Sequence, residues 1–154
     1  MTIGQVITAI AFLMMLTTVS AMNGFFDNKQ EQNVVSQIDS LANQMSSYRG
    51  YVSAYLRNNP TKTGVVADSD LNIPQWFSGR DTRIKNYFNS GKAYVYCTAG
   101  CQGGLEARLK EMTQQSLNVG HANNGKLNVN GVDVSGVSLP AVIQNGDVVY
   151  VSLN

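Results

Sequence analysis

From Val34 onward the apolar positions recur as Val34, Ile38, Leu41, Met45, Tyr48, Val52 and Tyr55, spaced 4-3-4-3-4-3. That period places them on one face of an α-helix. Val35, Ala42 and Leu56 widen the stripe, while Gln37, Asn43, Gln44, Ser47 and Arg57 lie opposite. "DNKQ", Asp27 to Gln30, has the form of a capping box with Asp27 as N-cap, and Pro60 after Asn58-Asn59 marks the stop. Gly50 costs about 1 kcal/mol relative to Ala within a helix, so the helix must draw its stability from packing.

Two partners suit such a stripe. A coiled coil needs three or more heptads flanked by charge. Here the flanks are mainly Gln, Asn and Ser, and three tyrosines lie in or beside the seam. A helix laid on its own domain's sheet is the preferred reading, with self-association as the alternative. In the first case Ile38 and Met45 are expected beyond the globular domain, and Tyr48 and Val52 beneath it.

After Pro60 the pattern predicts an α+β domain. "SGRDTRIKNYFNSG" suggests a short helix, with Ile84, Tyr87 and Phe88 sharing a face and Gly91 ending it. "IPQWF" carries the single Trp, Trp76, expected to fill the core. "KAYVYC", Lys92 to Cys97, alternates and is rich in aromatic and β-branched residues, as in a strand. Leu105 to Ser116 predicts a second helix, with Leu105, Leu109 and Met112 on one face. Asn130-Gly131 between alternating runs is a strong hairpin signal. Asn145-Gly146-Asp147 separates two further strand candidates in "AVIQNGDVVYVSLN". The C-terminal third is thus expected to form a small antiparallel sheet with two tight hairpins.

The opening of the chain changes the setting. "MTIGQVITAIAFLMMLTTVSAM" has no charged side chain, and Ile3 to Met22 comprises 20 positions, the length of a bilayer-spanning helix. A cleaved signal peptide would use Val19-Ser20-Ala21, but no Lys or Arg precedes Lys29 and the stretch is long for such a segment. An uncleaved anchor is preferred. The expected organisation is an anchor over 1–24, an amphipathic helix over 25–59 and a small α+β domain over 60–154. Lys29 is the only nearby base, so the charge asymmetry that sets orientation is almost missing. The short N-terminal flank and charge-poor remainder favour a cytoplasmic N-terminus with the domain outside.

Charged residues make up only 14% of the chain and the net charge is +1, so no electrostatic footprint for nucleic acid is visible. Cys97 and Cys101 are the only cysteines and His121 the only histidine. Zinc would need further ligands. A redox motif has one residue fewer between its cysteines and a helix following directly. A structural disulfide closing the turn 98–100 fits best, and it requires an oxidising compartment. His121, in "NVGHANNG", is expected in a solvated loop. Asp68 and Asp70 cap a loop, since the glycine and terminal glutamate of a calcium loop are absent. No phosphate loop, nucleophile elbow or dinucleotide fingerprint occurs. No catalytic, cofactor or metal site and no small-molecule substrate are therefore assigned.

Hydrophobic helix, amphipathic helix and α+β domain with a cysteine loop together resemble the type IV pilin architecture. "MTIGQVITAIAFLMML", "VVSQIDSLANQMSSYRGYVSAYLRNNP" and "LPAVIQNGDVVYVSLN" resemble the PilM family of thin-pilus systems on conjugative plasmids. That resemblance implies a non-enzymatic inner-membrane component of a pilus assembly apparatus or basal body, acting in pilus biogenesis and conjugation. It implies the lipid bilayer and other pilus-machinery or pilin subunits as partners, with a homo-oligomer as a further option. True pilins carry a glutamate at the fifth mature residue, whereas the fifth residue after Gly4 is Ala9 and the first acidic residue is Asp27. A scaffold that stays in the membrane is therefore preferred to an atypical minor pilin. A soluble periplasmic protein, or an enzyme, released at Ala21 is the remaining alternative.

Overall fold

The computed structural model describes residues 32–89, 91–98, 100–101 and 103–153. Two compact units are distinguished, Met1–Gln37 and Ile38–Asn154. In the first, the described residues 32–37 are helical and exposed. The predicted capping box and the candidate anchor, Ile3 to Met22, lie outside the described residues. Among the described residues no helix is long and apolar enough to cross a membrane.

The second unit begins within the amphipathic helix, α1, residues 32–58. It stops where Pro60 requires, with the Asn59 amide donating to Tyr55 O at 3.0 Å. A 3-10 turn, Gln75–Phe77, follows. Strands β1 (Ile84–Asn89) and β2 (Lys92–Cys97) lead into helix α2 (Leu105–Met112). Strands β3 (Val119–Asn123), β4 (Lys126–Val129), β5 (Val132–Ser138) and β6 (Val148–Leu153) complete the chain.

The six strands form one antiparallel sheet in the order β1-β2-β6-β3-β4-β5. β2 and β3 run parallel to each other, joined through α2, and leave a slot that the last strand fills. The C-terminal residues therefore join the two halves of the sheet, pairing with both β2 and β3. Each strand that flanks β6 takes it as its second partner.

Ile84 to Asn89 is a strand, not the expected helix. The i, i+3, i+4 spacing of Ile84, Tyr87 and Phe88 suits a helix, but the side chains that go inward are Ile84, Asn86 and Phe88, at period 2. Asn86 hid that period because it is polar. Its amide acts as a surrogate peptide group: Nδ2 donates to Val66 O at 2.8 Å, and Oδ1 accepts from Val66 N at 2.9 Å. One edge of the sheet is further covered by Gly64, which exchanges both backbone bonds with Phe88.

Both faces of the sheet are buried. On one, Ala42, Met45, Tyr48, Val52 and Leu56 of α1 share a core with Ile84, Phe88, Ala93, Val95, Val148 and Tyr150. Leu105 and Leu109 of α2 join them, while Met112 is exposed. The opposite face carries Tyr94, Tyr96, Leu127, Val149 and Val151, capped by Leu139 and Ile143 from the β5–β6 connection. The sheet also curls: Tyr94 donates to Ser138 O at 3.2 Å, joining β2 to the end of β5 across three intervening strands of the order. Burial on both faces explains the nearly unbroken apolar runs of β2 and β6.

Other expectations change. Trp76 is 77% exposed, and its neighbour Phe77 takes the core position, against Tyr51. Asn130-Gly131 does join a hairpin, with positive φ at both residues (55° and 83°) as a type I′ turn requires. The other C-terminal hairpin is absent. Ala141 to Gln144 forms turns, and β6 pairs with β2 and β3 instead of a preceding neighbour. Asn124-Gly125 supplies the hairpin that pattern alone missed.

Candidate functional site

The stripe residues of α1 separate by depth. Val34 is half exposed, Ile38, Leu41 and Tyr55 are partly buried, and Met45, Tyr48 and Val52 are wholly inaccessible. Met45 therefore lies in the core and does not extend beyond the domain. Ile38 also belongs to the domain, because a Cβ on Gly104 would stand 2.9 Å from Ile38 Cδ1. Asp39, one residue on, pairs with Arg108 of α2 at 2.7 Å. Polar bonds fix the helix laterally: Arg49 Nε and Ser53 Oγ meet Ser152 Oγ of β6 at 3.0 and 2.8 Å. The Arg49 guanidinium also lies 4.3 Å over the Tyr150 ring.

Beneath α1 the Tyr48 hydroxyl joins three elements. It donates to Asp68 Oδ1 at 2.9 Å and accepts from Asn86 Nδ2 at 2.6 Å and from Arg80 at 3.1 Å. Arg80 is also ion-paired with Asp68 and stacked 4.1 Å over the Tyr48 ring. Burial pushes the Tyr48 hydroxyl up to about 12, outweighing the lowering by Asn86 and Arg80. Asp68 thus serves a partly buried network, while Asp70 accepts from Ser69 at 3.3 Å. Among the described residues no group of three or more His, Cys, Asp or Glu side chains is arranged to hold a metal.

Cys97 and Cys101 are disulfide-bonded, with their Cα atoms 5.8 Å apart and both side chains buried. The bridge runs from the end of β2 to the approach to α2. Arg83 holds the same turn from outside, donating to Gly100 O at 3.0 Å while paired with Asp81 at 2.7 Å. Side-chain and backbone donors of Arg83 hold the Asp81 carboxyl down to about 2.

Beyond that turn a cleft of about 580 Å³ opens between α2, β3 and the Asn130 turn. Lys110 is buried there, ion-paired with Glu106 one turn earlier and bonded to Asn130 Oδ1 at 3.0 Å. Glu106 Oε2 also meets His121 Nδ1 at 2.8 Å. His121 is therefore a strand residue oriented by a carboxylate, not a loop residue in solvent. Glu106 and Lys110 at i, i+4 were a visible pairing signal, but nothing in the pattern placed His121 beside them.

These features define an α+β domain whose amphipathic helix is pinned to a curled antiparallel sheet and whose strand-to-helix turn is closed by a disulfide. The chain belongs to the PilM family of type IV pilus-associated proteins, whose family model, PilM, matches residues 11–151. The crystal structure of a protein named PilM from Escherichia coli B7A shares the fold, with a TM-score of 0.60 at 19% identity. That match covers 77% of this chain and 93% of the other. A structure of a pilM protein from Pseudomonas aeruginosa 2192 matches at 31% identity and a TM-score of 0.46, covering 75% and 95%. A search among curated proteins found no match.

Proposed function

We propose that this chain is a non-enzymatic, membrane-anchored structural component of a type IV (thin) pilus assembly apparatus or its basal body, acting in pilus biogenesis and conjugation. Membership of the PilM family over residues 11–151 carries this reading. The uncharged run Ile3 to Met22 supports a single inner-membrane span, because its length and composition suit a bilayer core. The disulfide supports a periplasmic domain, since such bonds persist in oxidising compartments. A body tied together by two cores, buried polar networks and a disulfide suits a scaffold. Other pilus-machinery subunits and the lipid bilayer are its partners.

Alkaline phosphatase fused after Asn154 should be active, and the mature protein should retain its intact mass in the membrane fraction. Cleavage after Gly4 would instead identify a processed pilin, and cleavage after Ala21 a soluble periplasmic protein. An inactive fusion would place the domain in the cytoplasm and overturn the reading.

A further inference from the structure

Trp76 is the only tryptophan of the chain and stands 77% exposed. Leaving an indole in water forfeits a large burial term, and exposed tryptophans on rigid supports are typical interface anchors. The support here is rigid. Phe77 N donates to Pro74 O at 2.9 Å, and Ser78 Oγ donates to Gln75 O at 2.7 Å. Phe77 itself is buried, with its ring 5.7 Å from Tyr51 and 5.7 Å from the Trp76 ring. The indole is thus held outward by a neighbour fixed in the core.

Beside it lies a shallow cleft of about 300 Å³, lined by Asn43, Gln44 and Ser47 of α1 together with Trp76, Phe77 and Arg80. Projecting ring and receiving cleft occupy the same patch. Its only formal charge, Arg80, is neutralised by Asp68. A charged partner or an anionic surface finds no countercharge here, while a copy of the same patch meets it without like-charge repulsion. The Asn43 amide and Ser47 hydroxyl make no hydrogen bond among the described residues. Each group both donates and accepts, so each can pair with its own symmetry mate.

We propose that this patch is the contact between two copies of the chain, related by a twofold axis, with Trp76 of each entering the cleft of the other. The proposal stands apart from the membrane topology. It needs only that the two copies share a compartment.

The test is cysteine crosslinking of the full-length chain in intact cells, where it reports on the contact whether or not the chain is membrane-bound. The native cysteines are disulfide-bonded, so Asn43→Cys introduces the reactive thiol. A bismaleimide should give a homodimer. Adding Trp76→Ala should reduce the yield at least about tenfold, the size expected for loss of an interface anchor. Adding Val132→Ala, at an exposed position of β5, should leave it unchanged. Trp76→Ala should melt with the parent protein, because the indole contributes little to the core.

A crosslink to a different protein, or none at any expression level, would overturn the proposal. So would a homodimer indifferent to Trp76→Ala. Protection of the Trp76 emission from an aqueous quencher in membranes, without an Asn43 crosslink, would assign the indole to the lipid surface and overturn it equally.

Discussion

Asn86 of β1 donates to the Tyr48 hydroxyl of α1 across 2.6 Å, although 38 residues separate them. That bond lies at the centre of the helix-to-sheet contact. The same hydroxyl serves Asp68 and Arg80, and the same Asn86 amide supports the Val66 backbone. Position of the helix, loop and edge strand is therefore set by one shared polar cluster that runs from the buried Asn86 to the partly exposed Asp68. A half-satisfied cluster of this kind is worse than none.

Tyr48→Phe should destabilise the protein by roughly 1–3 kcal/mol, because three partners lose one hydroxyl. Denaturant unfolding of the purified full chain measures it. Wild type should also weaken in alkali. The unfolded hydroxyl titrates at its ordinary 10.0 and the folded one at about 12. A raised folded value means this contribution is complete below pH 10.0 and is lost as pH rises through about 12. Tyr48→Phe should flatten that decline. At the acid end, the Asp81 contribution is present above its ordinary 3.8 and is lost as pH falls through about 2.

Depth along α1 predicts a gradient of mutational cost. Met45→Ala should cost about 2–5 kcal/mol, and Val52→Ala about 1–3 kcal/mol, since both leave cavities in a closed core. Ile38→Ala should cost less than either, because its side chain remains partly in water. Thermal melting of the three variants checks the order. Equal melting temperatures for Ile38→Ala and Met45→Ala would contradict the depth assignment.

Two glycines should respond in opposite directions. A Cβ on Gly120 would collide with the Asn128 carbonyl oxygen, a backbone atom of the neighbouring strand. Gly120→Ala should therefore prise β3 from β4 at a cost of several kcal/mol, roughly 2–4. Gly50, in α1, has nothing within 4 Å of its virtual Cβ. Gly50→Ala should stabilise by up to about 1 kcal/mol through helix propensity. Unfolding free energies of the two variants give the comparison directly.

The cysteines should carry no free thiol when the non-reduced protein is alkylated and weighed. Replacing both by alanine should cost about 2 kcal/mol, the chain-entropy value for so short a loop. The pair is the better test, because Cys97→Ser alone would also bury a hydroxyl. Loss of fold in the double variant would mean that the bridge sets the strand-to-helix turn rather than merely reinforcing it.

What the sequence determined by itself was the local periodic structure. α1, β2, α2 and the Asn130-Gly131 hairpin follow from spacing, turn chemistry and the stop at Pro60, all of which act within a few residues. The disulfide followed from having only two cysteines, four positions apart. Tertiary structure alone decided three matters. It turned Ile84 to Asn89 into a strand, because Asn86 faces inward only when Val66 is there to meet it. It excluded Trp76 from the core, because Phe77, held by the same turn, fills that space against Tyr51. It placed β6 between β2 and β3, pairings that join residues 51–61 and 27–31 positions apart and leave no local signature. His121 shows the same limit. Strand pairing carried it to Glu106, and no spacing along the chain encodes a meeting between a helix face and a strand of the sheet.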